Sequence, residues 1–390
     1  MVNANVGSPS SSKRDPGDST AQTAVDPWLL RCGFYHGYLP REDVGTLLRK
    51  QGDFLVRLSE NLVRTNEKPE RQTSNVISVL IEKQNIVNSS RTTERNDQIK
   101  NIVVYHRKGK WYLDESLKFN SAALLFAHYM NQPLILNKVP ILLQRGVGLC
   151  RWEYFHRNVK IVKTVGRGAY GEVKMAELLK RNGRTDTVAV KTLTQKTEQA
   201  ISPKLIKEIL KEARIMRRLR HPNIVSFLGV VLIDHPLYII LEYVEGGALD
   251  SYLKKNKSKI TNEERLEVAL GVAWGMEYLH KMHVLHRDIA ARNCLYERKI
   301  SVKISDFGLS RRGSIYKMKT MQKMPIKYMA PESLSSFLFS QKTDVYSYGI
   351  LIYELYSCEE PYQGLSTGEI RSMISANSFV FLSIFLNILK

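Results

Sequence analysis

The sequence predicts an α+β chain of two unlike domains. Three observations carry that expectation. At 390 residues the chain is longer than one ordinary core and fits two domains of the usual size. A composition of 43% hydrophobic, 25% charged and 9% aromatic residues is that of a globular protein. The apolar pattern then changes at Trp152: short apolar runs alternate with polar stretches before it, and strands followed mostly by helices come after it. The expected organisation is a leader over 1–27, a first domain over 28–147, a linker over 148–158, a second domain over 159–375 and an atypical apolar tail over 376–390.

Residues 1–25 are rich in Ser, Asp, Thr and Lys without apolar periodicity, so a disordered leader is expected. The start lacks the basic and apolar regions of a secretory signal, and position 2 is Val rather than the glycine that myristoylation needs. Cys32, Cys150, Cys294 and Cys358 lie far apart with no CxxC pair. A disulfide framework or zinc site is not expected, and a reducing compartment fits best. The expected location is cytoplasmic, with recruitment to the cytoplasmic side of the plasma membrane as an option. The run 379–389, polar only at Ser383 and Asn387, is too short to span a bilayer, so no transmembrane segment is expected. A net charge of +20 leaves nucleic acid, anionic membrane, and acidic or phosphorylated proteins open as partners. No zinc-finger spacing or RNP aromatic signature is present, so nucleic acid is not expected.

In the first domain, Phe54-Leu55-Val56-Arg57-Leu58 alternates as a strand, with Leu55 and Arg57 sharing one face. An arginine there is costly to desolvate unless an anion meets it. A partner carboxylate in the same domain is one solution, and a ligand anion is the other. The polar stretches 61–75 and 88–97 read as long loops. Trp28, Tyr35-His36-Gly37, a helix expected from Leu39 to Leu48 and Gly52-Asp53-Phe54-Leu55-Val56-Arg57-Leu58-Ser59-Glu60 together resemble an SH2 domain. The resemblance implies that Arg57 grips the phosphate of phosphotyrosine with its bidentate fork, and that Arg41 and Ser59 are further phosphate-binding positions. Asn101 stands where that family usually has histidine.

In the second domain, strands are expected over 159–165, 172–178 and 187–192. Gly166, Gly168 and Gly171 would let a hairpin bring its N–H groups close to phosphates. Val188-Ala189-Val190-Lys191 ends a strand in a lysine. Ser202 and Pro203 then cap a helix whose apolar seam runs Leu205, Ile209, Ala213, Met216, Leu219, and Glu212 falls on that seam. A carboxylate aimed at a core wants a cation, and Lys191 is the nearest candidate. His286-Arg287-Asp288 with Asn293 follows, an acid and an amide five residues apart; chance gives this in roughly two chains in a thousand of this length. Asp306-Phe307-Gly308, Ala330-Pro331-Glu332 and Asp344 complete the order.

In sequence these resemble the protein-kinase signature set. The resemblance implies Asp288 as the base that accepts the acceptor hydroxyl's proton and Arg292 as its neighbour in the catalytic loop. Asn293 and Asp306 would hold Mg2+ or Mn2+, and Lys191, positioned by Glu212, would grip ATP. Gly166, Arg167, Gly168, Gly171, Val173, Ala189, Lys191, Glu242 and Val244 would surround the nucleotide, with Leu241 as gatekeeper. Ala290 and Arg292 after Asp288, and Pro325-Ile326-Lys327, resemble tyrosine rather than serine/threonine kinases, although Tyr328 stands where tryptophan is usual.

The order of domains resembles the Fer/Fes group of non-receptor tyrosine kinases. The implied fold class is α+β: an SH2 domain followed by a bilobal protein-kinase fold with an incomplete C-lobe. A kinase of this kind would continue after Ile374 through further helices, among them an arginine that pairs a buried Glu332; here an apolar run stands in their place, read as an alternative end of a truncated lobe, a short substitute helix or a hydrophobic anchor. Tyr316 lies in a stretch, 309–327, of six basic and no acidic residues, and is the expected autophosphorylation site. Partners are tyrosine-phosphorylated proteins through the SH2 domain and acidic protein-tyrosine substrates. An alternative keeps the phosphotyrosine-binding adaptor and leaves the shortened kinase lobe inactive.

Overall fold

The computed structural model describes residues 26–64, 69–82, 97–136, 138–168, 171–192, 203–297, 301–319 and 324–376. The expected leader up to residue 25, the second polar stretch up to residue 96, the Ser202 cap and the apolar tail from residue 377 lie outside the described residues. The side chains of Leu205 and Ile209 do so too.

Asp26 opens α1 (Pro27–Arg31) by accepting the Trp28 and Leu29 N–H groups at 2.8 and 3.3 Å. α2 (Arg41–Val44) is shorter than the helix expected, because the Thr46 hydroxyl turns back onto the Asp43 carbonyl and the chain leaves the helix there. β1 (Asp53–Arg64), β2 (Pro69–Glu82), β3 (Asp97–Arg107) and β4 (Lys110–Tyr112) pair antiparallel. α3 (Ala122–Asn131) starts on Ser121 and buries Leu125 and Phe126 against Phe54 and Val56 of β1. The hairpin of β5 (Leu134–Leu136) and β6 (Val139–Ile141) follows. β7 (Arg145–Gly146) then returns beside β1 in parallel, giving the order β4-β3-β2-β1-β7.

The polar stretch 61–75 is a correction to the sequence reading. It is mostly strand, not loop: Glu60 pairs with Thr73 and Arg64 with Pro69. Backbone hydrogen bonding needs no apolar alternation, so a mostly polar stretch can pair as a strand.

The second domain opens with β8 (Val159–Gly168), β9 (Gly171–Leu179) and β10 (Thr185–Thr192), matching the three expected strands. α4 (Pro203–Met216), β11 (Phe227–Val231) and β12 (Tyr238–Glu242) complete a sheet ordered β11-β12-β10-β9-β8 with one helix beside it. The larger half contains α5 (Leu249–Asn256), α6 (Asn262–Lys281) and the short strands β13 (Val284–Leu285), β14 (Cys294–Glu297), β15 (Ser301–Ile304), β16 (Arg311–Arg312) and β17 (Ile315–Lys317). α7 (Pro331–Ser336), β18 (Leu338–Ser340), α8 (Gln341–Ser357) and α9 (Thr367–Ser375) follow. Glu332, expected to be buried and in need of a cation, is exposed at the start of α7. Water solvates its carboxylate there, so no buried partner is required.

The two domains share a core. Leu39, Val44, Leu47, Leu48, Leu55 and Leu80 of the first pack in one apolar cluster with Ile206, Leu210, Ala213 and Met216 of α4. Gly37 has φ +56°, and a Cβ there would lie 2.0 Å from the Leu232 carbonyl oxygen, so only glycine allows the approach. Tyr38 N–H then donates to that same oxygen at 2.9 Å. Asp43, buried at the end of α2, accepts from Arg214 Nε of α4 at 2.9 Å. The linker is pinned by buried His36. Its Nε2 meets the Val147 carbonyl at 2.9 Å and must donate, so Nδ1 shares a proton with Glu153 Oε1, also 2.9 Å away.

Asp53 closes the first sheet. Both its oxygens take Arg145 of β7, at 2.7 and 2.6 Å, and the Arg49 and Lys50 N–H groups cap it as well. Burial pushes the carboxyl up, but these four donors outweigh it and hold it down at about 2. A lowered carboxylate stabilises the fold above its unfolded pKa, and the contribution disappears as pH falls toward the folded value. Allowing for the exposed Arg145 side chain, Asp53→Asn should cost about 1–2 kcal/mol at neutral pH. In urea unfolding, the gap between variant and wild type should hold from neutrality to about pH 4.5 and narrow below it. A gap unchanged at about pH 3 would remove this ion pair from the account.

Candidate functional site

In β10, Val188 and Val190 point into the sheet's core, which turns Ala189 and Lys191 toward the opposite face. Lys191 Nζ lies 3.0 Å from each Glu212 carboxylate oxygen and 3.3 Å from Asp306 Oδ1. Glu212 is 4% exposed, set among buried Leu210, Ala213 and Met216 of α4. Burial pulls the Lys191 ammonium toward neutrality, but Glu212 and Asp306 overcome it and hold the charge well above the usual lysine range.

The segment from His286 to Asn293 is held by backbone contacts to buried acids. Asp344, 1% exposed on α8, accepts the His286 and Arg287 N–H groups at 2.8 Å each. Arg287 has φ +70°, a strained value for a non-glycine residue, and these two bonds help to fix the bend. The Asp288 carboxylate takes a charged bond from Arg292, and the Asp288 carbonyl accepts from Asn293 Nδ2 at 2.8 Å. Burial pushes the Asp288 carboxyl up, opposed by Arg292 and His286. Asp306 also sits in the left-handed region, at φ +55°, while Phe307 is fully buried with its ring 5.0 Å from that of His286.

Asp306 remains 44% exposed, and with its amide nitrogen committed, Asn293 keeps an oxygen to offer. One carboxylate and one amide oxygen are hard donors of the kind magnesium takes alongside water and substrate phosphates. Gly166 pairs with Val173 and Gly168 with Gly171 across the β8–β9 hairpin; Gly171 has φ +145°. The side chain of Arg167 lies outside the described residues, and its backbone pairs with Glu172. Ala189 lies opposite Leu241 in the β10–β12 pairing, and Val244 is buried just beyond that strand. The Glu242 carboxylate is occupied by Lys303 Nζ and the Ser226 N–H, each 3.0 Å away, which leaves the hinge backbone to meet a ligand.

Tyr316 lies in β17, with the Arg287 guanidinium 4.7 Å and that of Arg311 5.5 Å from its ring centre. Both Arg287 Nε and Arg311 Nε are buried without a hydrogen-bond partner. Burial and then Arg311 bring Arg287 down to about 10, the mark of two cations sharing a poorly solvated site.

In the first domain, Arg57 is 5% exposed; its Nε donates to Ser78 Oγ at 3.1 Å and its Nη2 to Asn101 Oδ1 at 2.9 Å. Neither neighbour is an anion, so the buried charge stays uncompensated on that side. Arg41 is close enough to depress Arg57 further, after burial itself. Ser59 follows two residues later on the same face of β1, half-buried. Sequence reading missed Ser78, which is legible only from strand pairing, where it stands opposite Asn101. It also left Asp344 without a role and overlooked Glu354, the second acid of the same helix.

Comparisons with known proteins show the family to which the two domains belong. A family model described as protein tyrosine and serine/threonine kinase matches residues 159–380, and one for the SH2 domain matches residues 34–129. The chain is 34% identical over 368 residues to Fer-related kinase 1 of Caenorhabditis elegans, covering 93% of this chain and 86% of that protein. It is 34% identical to the tyrosine-protein kinase transforming protein Fps of avian sarcoma virus (strain PRCII), covering 89% of this chain and 60% of that one. Against tyrosine-protein kinase Fer of Homo sapiens the identity is 32%, over 89% of this chain and 39% of the other. No helix among the described residues is long and apolar enough to cross a membrane.

The Lys191–Glu212 contact has a direct test. Glu212→Ala leaves Lys191 with Asp306 as its remaining close acid, which draws the ammonium off the nucleotide side. Binding of a fluorescent ATP analogue should weaken about tenfold or more, as for a lost charge-assisted bond, while phosphopeptide binding stays unchanged. Equal nucleotide affinity in the variant would show that the pair does not set the lysine.

Proposed function

The chain belongs to the protein-tyrosine kinases that carry an SH2 domain, and from that premise we propose how its own residues serve the transfer of the ATP γ-phosphoryl group to protein tyrosine. The observation that carries the reading is the Lys191–Glu212–Asp306 cluster, whose Asp306 charge is felt by the half-buried carboxyl of Asp288. Lys191 binds the α- and β-phosphates with a charge held by Glu212. The N–H groups of the Gly166–Gly171 hairpin cover the phosphates, with Val173, Ala189 and the backbone of Glu242 and Val244 around the base. Asn293 and Asp306 would hold Mg2+, which would supply positive charge beside the phosphates. Asp288 orients the acceptor phenol and takes its proton as the phenol O–P bond forms and the bond from the γ-phosphorus to the β–γ bridging oxygen breaks, releasing ADP. A raised carboxyl suits that role, since it sits nearer the working pH.

Arg57 binds phosphotyrosine, backed by Ser78 and Asn101 and aided by Arg41 and Ser59. Six basic residues between 309 and 327 favour acidic peptide substrates. The free cysteines support a reducing, cytoplasmic setting.

Purified protein with ATP, Mg2+ and a poly-Glu/Tyr substrate should form phosphotyrosine, and Asp288→Asn should abolish it. The acid limb of kcat/KM should fall above the ordinary aspartate range, because Asp288 must be ionised to accept the proton and burial raises its pKa. If there is no turnover from protein that still binds phosphopeptide and loses it in Arg57→Lys, the adaptor replaces the enzyme. Tyr316 is the proposed autophosphorylation site, since a phosphate there would supply the anion that Arg287 and Arg311 lack. Tyr316→Phe should reduce the activity gained on preincubation with ATP; an undiminished gain would rule the site out.

A further inference from the structure

The function reading leaves unused a polar contact beneath the catalytic loop, centred on Tyr328 and Glu354. Both side chains are buried, at 5% exposure each. The Tyr328 hydroxyl donates to Glu354 Oε1 at 2.8 Å, and Glu354 Oε2 accepts the Ala291 N–H at 2.9 Å. The face of the Tyr328 ring carries the Arg292 guanidinium, 4.4 Å from its centre, and Arg292 in turn bonds the Asp288 carboxylate. Tyr328 is itself anchored, its carbonyl accepting the Ser347 hydroxyl at 2.7 Å. Tyr328 thus meets the catalytic loop directly through its ring on Arg292, and its hydroxyl reaches Ala291 by way of the Glu354 carboxylate.

We propose that Tyr328 and Glu354 are positioning residues that hold Arg292 and Ala291, and through them the Asp288 carboxylate, in register with the segment that receives the substrate. The proposal rests on the kinase reading for its catalytic consequence, but its structural part stands apart. Glu354 is buried with no cation bonded to it, so its oxygens depend on the two donors. Removing either frees the Ala291 end of the loop. The ring contact acts separately, because a cation–π contact fixes the guanidinium without a hydrogen bond. A tryptophan would supply the ring face but not this hydroxyl.

The experiment compares wild type with Tyr328→Phe, Tyr328→Leu and Glu354→Gln. Steady-state kinetics are run across pH, and hydrogen exchange is followed by mass spectrometry over 286–295. Tyr328→Phe keeps the ring and loses one bond, so kcat should fall about tenfold with KM for ATP unchanged. Tyr328→Leu loses both contacts, so kcat should fall about a hundredfold. Exchange over 286–295 should quicken in Tyr328→Phe, Tyr328→Leu and Glu354→Gln, while exchange over 224–231 stays as in wild type. That contrast separates loosening of the loop from failure to fold.

Unchanged exchange over 286–295 in Tyr328→Phe and Glu354→Gln would overturn the proposal, whether or not the wild type turns over. An inactive wild type with faster exchange in the variants would keep the positioning role and reject the kinase reading instead. Exchange and kcat in Tyr328→Leu equal to those of Tyr328→Phe would reject the path through the ring and Arg292.

Discussion

A glutamate with 4% exposure cannot keep its charge unless a cation is delivered to it, and the placement of α4 follows from that requirement. Lys191 comes from a strand of the sheet and Glu212 from the helix beside it, so the pair forms only when α4 lies close against β10. Apolar contacts fix the distance. Asp43 of the first domain then holds Arg214, two residues beyond Glu212, and so reaches round the same helix from its other side. The helix is gripped between an inward carboxylate that needs a lysine and an outward arginine that needs an aspartate.

The same economy governs the catalytic loop. Its backbone bends sharply at Arg287, and buried acids on α8 meet the N–H groups freed on either side of Asp288. Asp344 takes two of them before it and Glu354 one after it. A buried acid that accepts more than one donor is held in position by them. Asp288 itself bonds Arg292 and stays closer to solvent. Asp344 and Glu354 hold the loop on either side of it.

Much of this was legible in the sequence. Arg57 in a strand and Glu212 on an apolar seam stood out because a charge in an apolar pattern demands a partner. The three strands of β8 to β10 followed from their alternation. What escaped had no such contrast. The 61–75 stretch is mostly polar in sequence, and its pairing runs through the backbone, which composition does not record. Ser78 is one serine among many until the register of β2 against β3 sets it across from Asn101. Glu332 reads as buried from the motif it belongs to, yet its place at the start of a short helix leaves it in water.

The register of β1 ties the two sites together. Leu55 and Arg57 lie two residues apart on one face of that strand. Arg57 meets Ser78 and Asn101, and Leu55 packs with Leu80 in the cluster that contains Ile206 and Leu210 of α4. Close-packed interiors transmit displacement, because a shift of one side chain opens a void or forces a clash next to it. A displacement of the strand at Arg57 would therefore be met within one residue pair by the core that seats α4. Gly37, with no room for a Cβ against Leu232, removes the slack that a looser interface would offer. The domains of this chain are two folds in topology and one body in packing, and the Lys191–Glu212 pair sits where that packing ends.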